Sequence, residues 1–202
     1  MSYLDQTLTF TDNKICYVDG DTELQVMMDW EDSIMSASAA YVCQNGGDIL
    51  EIGFGMGISA GYIQSHSINS HTIIENHPDV ITKAKAWAQG KSNVTIVTGS
   101  WYDVKNDLLT YDGLFYDTWG DDNMGQFSSS LSSLMKAGGV ATWWNNEPTA
   151  TNFYNIPNVT YDTHNVTPTE NCYFNSTTYY LPKSLYQTIL TFYQIYLELN
   201  TY

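Results

Sequence analysis

An apolar run that carries an acid and then opens into three alternating glycines, Asp48-Ile-Leu-Glu-Ile-Gly-Phe-Gly-Met-Gly57, constrains this chain more than any other feature. It reads as a strand feeding a tight loop. Glycine at 53, 55 and 57 lets the backbone turn sharply and come close to a ligand, where a Cβ would clash. A second apolar run, His71-Thr-Ile-Ile-Glu75, ends on an acid 22 positions after Gly53, about the spacing at which a carboxylate reaches a ribose hydroxyl. The two features together indicate a nucleoside cofactor, although the loop alone also fits a Gly-rich strand-to-helix turn that holds no ligand.

The dinucleotide fingerprint requires G-x-G-x-x-G, so that a pyrophosphate can rest on a helix N-terminus. Its third glycine position is Ile58 here. The pattern with Glu51 ahead of the glycines instead resembles the first motif of class I S-adenosylmethionine-dependent methyltransferases.

Seven Lys+Arg against 22 Asp+Glu give a formal charge of −15, a field that repels nucleic-acid phosphates and anionic membranes and attracts cations. Action on DNA or RNA is thereby disfavoured. A chain of 202 residues can bury one substantial core, and residues 1–202 read as a single domain. The first residues lack a basic n-region and an apolar h-region, and no run is long enough to span a membrane, so a cytoplasmic location is expected. Cys16, Cys43 and Cys172 are widely spaced, and His66, His71, His77 and His164 form no ligand-spaced cluster. Neither a disulfide framework nor a metal site is predicted.

Along the chain, residues 7–18 alternate around Asp12-Asn13-Lys14 and predict a hairpin, so that 1–25 form a hairpin or lid. A helix is predicted from Asp29 to Cys43, stopped by Asn45-Gly46-Gly47. Strands are expected at Ile49–Ile52, Thr72–Ile74, Val94–Val97, Gly113–Tyr116 and Val140–Trp144, with helices at Ile58–Ser65, Pro78–Gln89 and within Met124–Met135. Gly138-Gly139 is expected to end the last of these. Alternating strands and helices argue an α/β fold, a mostly parallel Rossmann-like sheet with helices on both faces. Thr160–Leu181 should supply a closing pair of strands, and the apolar spacing from Ser184 to Tyr202 suits a helix on the core or in a homodimer.

Ligands of such sheets sit beyond the carboxyl ends of the strands. Those ends are Gly53–Gly57, Glu75, Gly99-Ser-Trp101, Asp117-Thr-Trp119 and Asn145-Asn-Glu147. Asp117 follows the apolar run Leu114-Phe-Tyr116 and is expected to face the cleft; an acid capping the next helix is the alternative.

The segments Val26-Met-Met-Asp-Trp-Glu31, Ile49–Met56, Ile73-Ile-Glu75, Gly99-Ser-Trp-Tyr-Asp103 and Tyr116-Asp-Thr118, followed by Gly138–Thr142 and Asn145, are similar to guanidinoacetate N-methyltransferases and their relatives, including arginine δ-N-methyltransferases. The resemblance implies a class I fold and S-adenosylmethionine as cofactor. It places Met27, Met35, Glu51, Gly53, Phe54, Gly55, Met56, Gly57, Ile58, Ser59, Glu75, Asn76, His77, Ser100, Trp101, Tyr102 and Asp117 around that cofactor. Glu31 and Asp117 are implied as catalytic acids on the substrate guanidinium, with Thr118, Trp119, Asn145, Asn146 and Glu147 as further substrate contacts. Two carboxylates suit a planar cation with paired N–H donors.

A protonated guanidinium has no lone pair, so one acid must take its proton as the methyl group is transferred. A small guanidino compound resembling guanidinoacetate, the precursor of creatine, and arginine are both expected substrates. Glu147 would repel a substrate carboxylate if it pointed inward, and Trp119 changes the cavity shape relative to the family pattern. An O- or C-methyltransferase for a neutral metabolite and a non-catalytic binding module are the alternatives.

Overall fold

The computed structural model of the chain describes residues 2–187. Its N-terminal alternation folds as three antiparallel strands, β1 (Thr9–Phe10), β2 (Lys14–Asp19) and β3 (Thr22–Met28). This is one strand more than the predicted hairpin. Strand β3 was hidden because its first half, Thr22-Glu-Leu-Gln, lies on the surface and carries little apolar alternation, while Met27 and Met28 at its end are buried.

A single 3-10 turn (Asp29–Glu31) leads into α1 (Asp32–Val42). Ile34, Met35, Ser38, Ala39 and Val42 share one buried face of α1, the spacing that lays a helix stripe on a sheet. There follow β4 (Asp48–Ile52), α2 (Ile58–Gln64), β5 (Ser70–Glu75), α3 (Pro78–Ala88), β6 (Val94–Thr98), α4 (Trp101–Val104), β7 (Tyr111–Tyr116), α5 (Phe127–Leu134), β8 (Met135–Trp143), β9 (Thr160–Asn165) and β10 (Thr178–Leu185).

Strands β4 to β10 form one sheet in the order β6-β5-β4-β7-β8-β10-β9, parallel through β8 and closed by antiparallel β10 and β9. Strand order reverses between β4 and β7, which is where a crevice opens at the carboxyl edge of such a sheet. Both faces are covered, and the strand side chains divide by parity. Leu50, Ile52, Leu114 and Tyr116 pack with Trp143 and Phe127 on one face. Ile49 and Phe115 pack against Met35, Ala39 and Val42 of α1 on the other.

Two expectations need correction. Gly138-Gly139 does not end a helix; α5 stops at Leu134 and the glycines lie inside β8. There they form a bulge, with Gly138 at φ +82°, and exchange two backbone hydrogen bonds with Tyr186 (2.9 and 2.8 Å). The tail expected from Ser184 begins later, because Ser184 and Leu185 are the end of β10, and residues 188–202 lie outside the described region. No helix among the described residues is long and apolar enough to cross a membrane.

Candidate active site

The glycine loop is built by close approach. Gly53 ends β4, its N–H donating to the carbonyl of Ile74, while the N–H of Asp117 donates to the carbonyl of Ile52 (both 2.9 Å). Gly53 sits at φ +94°, and a Cβ there would run into the carbonyl oxygen of Asp117. The switch point thus draws the end of β7 onto the start of the loop. At Gly55 a Cβ would meet the sulfur of Met27, which itself accepts the N–H of Met56 (3.2 Å), so the N-terminal sheet is docked against the loop.

Glu75, at the end of β5, ties the loop to the next turn. Its Oε2 accepts the N–H of Phe54 (2.9 Å), and its Oε1 accepts those of Asn76 and His77 (2.8 Å each). A carboxylate oxygen offers two acceptor positions, so Oε2 keeps one for a further donor.

Glu31 reaches the same cleft from the other end of the chain. Its turn folds back so that Oε1 accepts the N–H of Met28 (2.8 Å). Only 3% of the residue is accessible. The same Oε1 accepts the phenol of Tyr173 (2.5 Å), from the connection between β9 and β10. Trp30, Trp144, Tyr173 and Phe174 form an aromatic shell around this point, Trp30 stacking on Tyr173 and Phe174 at 6.1 and 5.7 Å.

Glu31 and Asp117 line one cleft that opens to solvent. Burial pushes the carboxyl of Glu31 well above the ordinary carboxylate range, and the negative charge of Asp117 adds to the shift. Asp117 is raised in turn, first by burial and then by Glu51 and Glu75. Two acids whose charged forms are disfavoured by burial and by neighbouring carboxylates make a site that a cationic ligand would stabilise.

The cleft is lined by Met27, Glu31, Gly53, Phe54, Gly55, Ser59, Glu75, Asn76, Trp101, Asp117, Thr118 and Trp119 of the expected site residues. Others lie elsewhere. Met35 is fully buried on the inner face of α1, and His77 is buried under Tyr3 with its ring centroid 4.7 Å away. Glu51 is a core residue, accepting the hydroxyl of Ser59 and sitting 2.9 Å from Nε2 of His71. It stiffens β4 and α2 beneath the loop. Met56, Gly57, Ile58, Ser100 and Tyr102 also lie off the cleft wall, Ser100 as the residue before α4 and Tyr102 packed edge-on to Trp101.

Asn145 and Asn146 line an adjoining cavity instead. Asn145 is held by its own side chain, which donates to the carbonyls of Thr149 and Tyr180 (3.0 Å each). Glu147 is exposed and lines neither cavity, which removes the electrostatic objection to a substrate carboxylate at that position.

Tyr173, Tyr3 and Asp121 stand out among the wall residues that the sequence did not indicate. Tyr173 touches Glu31; the only local signal was the Asn171 turn, whose Oδ1 accepts the N–H of Tyr173 and Phe174 (3.0 and 2.7 Å). Tyr3 covers the cleft from the N-terminal turn. Asp121 gathers the indole N–H of Trp101 and the phenol of Tyr116 on one oxygen (2.6 Å each) and the N–H of Asn123 on the other (2.8 Å). It fixes the aromatic wall beside Asp117. Among the described residues no group of His, Cys, Asp and Glu is placed to hold a metal ion.

The family model for guanidinoacetate N-methyltransferase matches residues 5–150. Protein arginine N-methyltransferase 2 of Yarrowia lipolytica is 35% identical over 159 residues, 72% of this chain and 33% of that protein. The protein of the same name from Saccharomyces cerevisiae is 36% identical over 159 residues, 72% of this chain and 36% of that protein. The chain spans about a third of the length of these curated relatives. Among solved structures, spermidine synthase from Thermotoga maritima aligns with a TM-score of 0.61 at 13% identity, over 89% of this chain and 72% of that one. At that identity the likeness speaks for the fold alone.

Proposed function

Because the chain belongs to the guanidinoacetate N-methyltransferase family, we propose that it transfers a methyl group to a guanidino nitrogen of arginine. S-adenosylmethionine is the cofactor; when bound, it supplies a methyl group on a positively charged sulfur. The residues present fit that molecule. Glu75 offers an unfilled acceptor position for a ribose hydroxyl, Ile74, Val80 and Trp101 offer an apolar wall for a base, and the cleft's acids suit a cationic centre.

The observation that carries the reading is the convergence of two buried acids, Glu31 and Asp117, in one cleft. A guanidinium presents paired N–H donors in a plane, and two carboxylates reaching it from different segments can fix both its position and its rotation. Oε1 of Glu31 is already taken by Met28 and Tyr173, so Oε2 is the oxygen left for the substrate. The arginine nitrogen must lose a proton as it bonds to the methyl group, and a carboxyl whose affinity for protons is raised by burial is a competent acceptor near neutral pH. Asp117 takes that proton, and Glu31 holds the remaining positive charge. The aromatic shell of Trp30, Trp144 and Tyr173 keeps water from competing for the methyl group.

Arginine is favoured over guanidinoacetate by the arginine N-methyltransferase relatives. Radiolabelled methyl transfer to arginine, to an arginine-containing peptide and to guanidinoacetate tests the reading. Labelled arginine, free or in peptide, is the expected product; label on guanidinoacetate alone, or on none of the three, would overturn it.

A further inference from the structure

Next to the acid cleft lies a second cavity of about 420 Å³, within the range that encloses a small ligand. The two share the walls Thr118, Trp119, Trp144 and Tyr173. The second cavity therefore lies directly beside the cleft that Glu31 and Asp117 line.

The chemistry of the second cavity is the opposite of the first. None of the residues lining it is charged. Thr118, Asn145 and Asn146 bring polar groups to its wall, but aromatic rings dominate it: Tyr173 stands steeply to Trp119 and to Trp144 (5.8 Å, 71° and 6.1 Å, 73°), and Phe153 nearly perpendicular to Tyr154 (5.1 Å, 88°). Phe153 is 55% accessible, so a large ring is left in water at this wall. A carboxylate placed here would meet only neutral donors such as Asn146 and Thr118 and no cation, so the cavity favours a neutral group over the acid end of a small guanidino acid. Its size also exceeds what the methylene stem of one arginine fills.

We propose that this cavity is a subsite for an uncharged, apolar side chain adjacent to the target arginine in a polypeptide. The inference rests on arginine as the substrate. Burial of such a side chain against Trp119, Phe153 and Tyr154 supplies binding that the polar grip on the guanidinium does not, and the strongly negative molecule tolerates only a neutral or cationic polypeptide. Ring faces also attract cations, so a Lys neighbour is the competing occupant that the test must separate.

The test uses the full chain and single-arginine peptides that differ only in the residues flanking the arginine: Leu, Phe, Gly, Glu or Lys. The expected result is kcat/KM at least about tenfold higher for Leu or Phe than for Gly, carried mainly by KM, with Glu poorest. F153A and Y154A should narrow the Leu-to-Gly ratio; F153A removes a half-exposed ring, and a thermal melt confirms that each variant is folded. Equal kcat/KM across the peptides, or a preference for Lys, overturns the subsite while leaving arginine methylation standing. Methylation of no arginine peptide overturns both.

Discussion

The phenol of Tyr173 donates to Oε1 of Glu31 across 142 positions of sequence, on the same oxygen that accepts the N–H of Met28. The carboxylate is thereby anchored through that oxygen, and its second oxygen takes no part in either bond. A hydrogen bond to a charged acceptor contributes about 1.5–3 kcal/mol and favours the ionised form. Removing it with Y173F should raise the Glu31 pKa further and move the acid limb of the kcat/KM profile to higher pH. An unchanged acid limb would show that Tyr173 merely fills space.

Replacing Asp117 with Asn keeps the shape but removes the proton acceptor. We expect D117N to bind S-adenosylmethionine normally by calorimetry and to lose methyl transfer by about 10²–10⁴-fold, the usual weight of a general base. E31Q should lose turnover with a larger rise in KM, because it weakens the grip on the cation. Wild-type turnover in D117N rules the assignment out.

The two raised carboxyls also set a pH dependence of folding. The unfolded chain has ordinary carboxyls, while Glu31 is pushed up to about 8 and Asp117 to about 7 in the fold. Between the ordinary and the raised values the folded state binds more protons than the unfolded one, so stability falls as pH rises through that window. Melting temperatures of the ligand-free protein from pH 5 to 8 should decline, and the decline should be shallower in E31Q. A stability that rises over the same range contradicts the buried pair.

Gly53 is held at φ +94° with Asp117's carbonyl where a Cβ would be. The backbone conformation alone should cost G53A about 1–3 kcal/mol, with the clash added to it. The change separates β4 from the end of β7 and so moves Asp117; G53A should melt lower and lose activity together. A stable, active G53A would mean the two strand ends are not in contact.

Asp121 offers a test of the wall rather than of the grip. D121A leaves the phenol of the buried Tyr116 and the indole N–H of Trp101 without their acceptor. Each unsatisfied buried donor costs roughly 1–3 kcal/mol. We expect a lower melting temperature and a weaker affinity for S-adenosylmethionine, read by calorimetry on the folded variant.

Much of the sheet was legible because its signals are local. Apolar runs with bounding glycines located β4, β5, β6 and β7 to within about two residues, and the acid after each run marked the strand ends at Glu75 and Asp117. Where one local rule competed with another, the reading failed. Gly138-Gly139 carries the same signal for a helix stop and a β-bulge, and only the pairing with Tyr186 distinguishes them. Glu51 sits in one of the family's segments, and Met35 and His77 a few residues after two others, yet the structure buries all three in the core, a distinction of side-chain direction that residue identity does not contain.

The sequence by itself determined the alternation of strand and helix, the glycine loop with its matching acid, and the presence of two acids, Glu31 and Asp117, beside apolar stretches. These follow from short-range periodicity and from the conformational freedom of glycine. Only the tertiary structure decided that the acids share a cleft, that Tyr173 and Asp121 orient its walls, and that an uncharged aromatic cavity adjoins it. Those are contacts between residues remote along the chain, fixed by strand order and by close packing of side chains, and no spacing within a single segment encodes them.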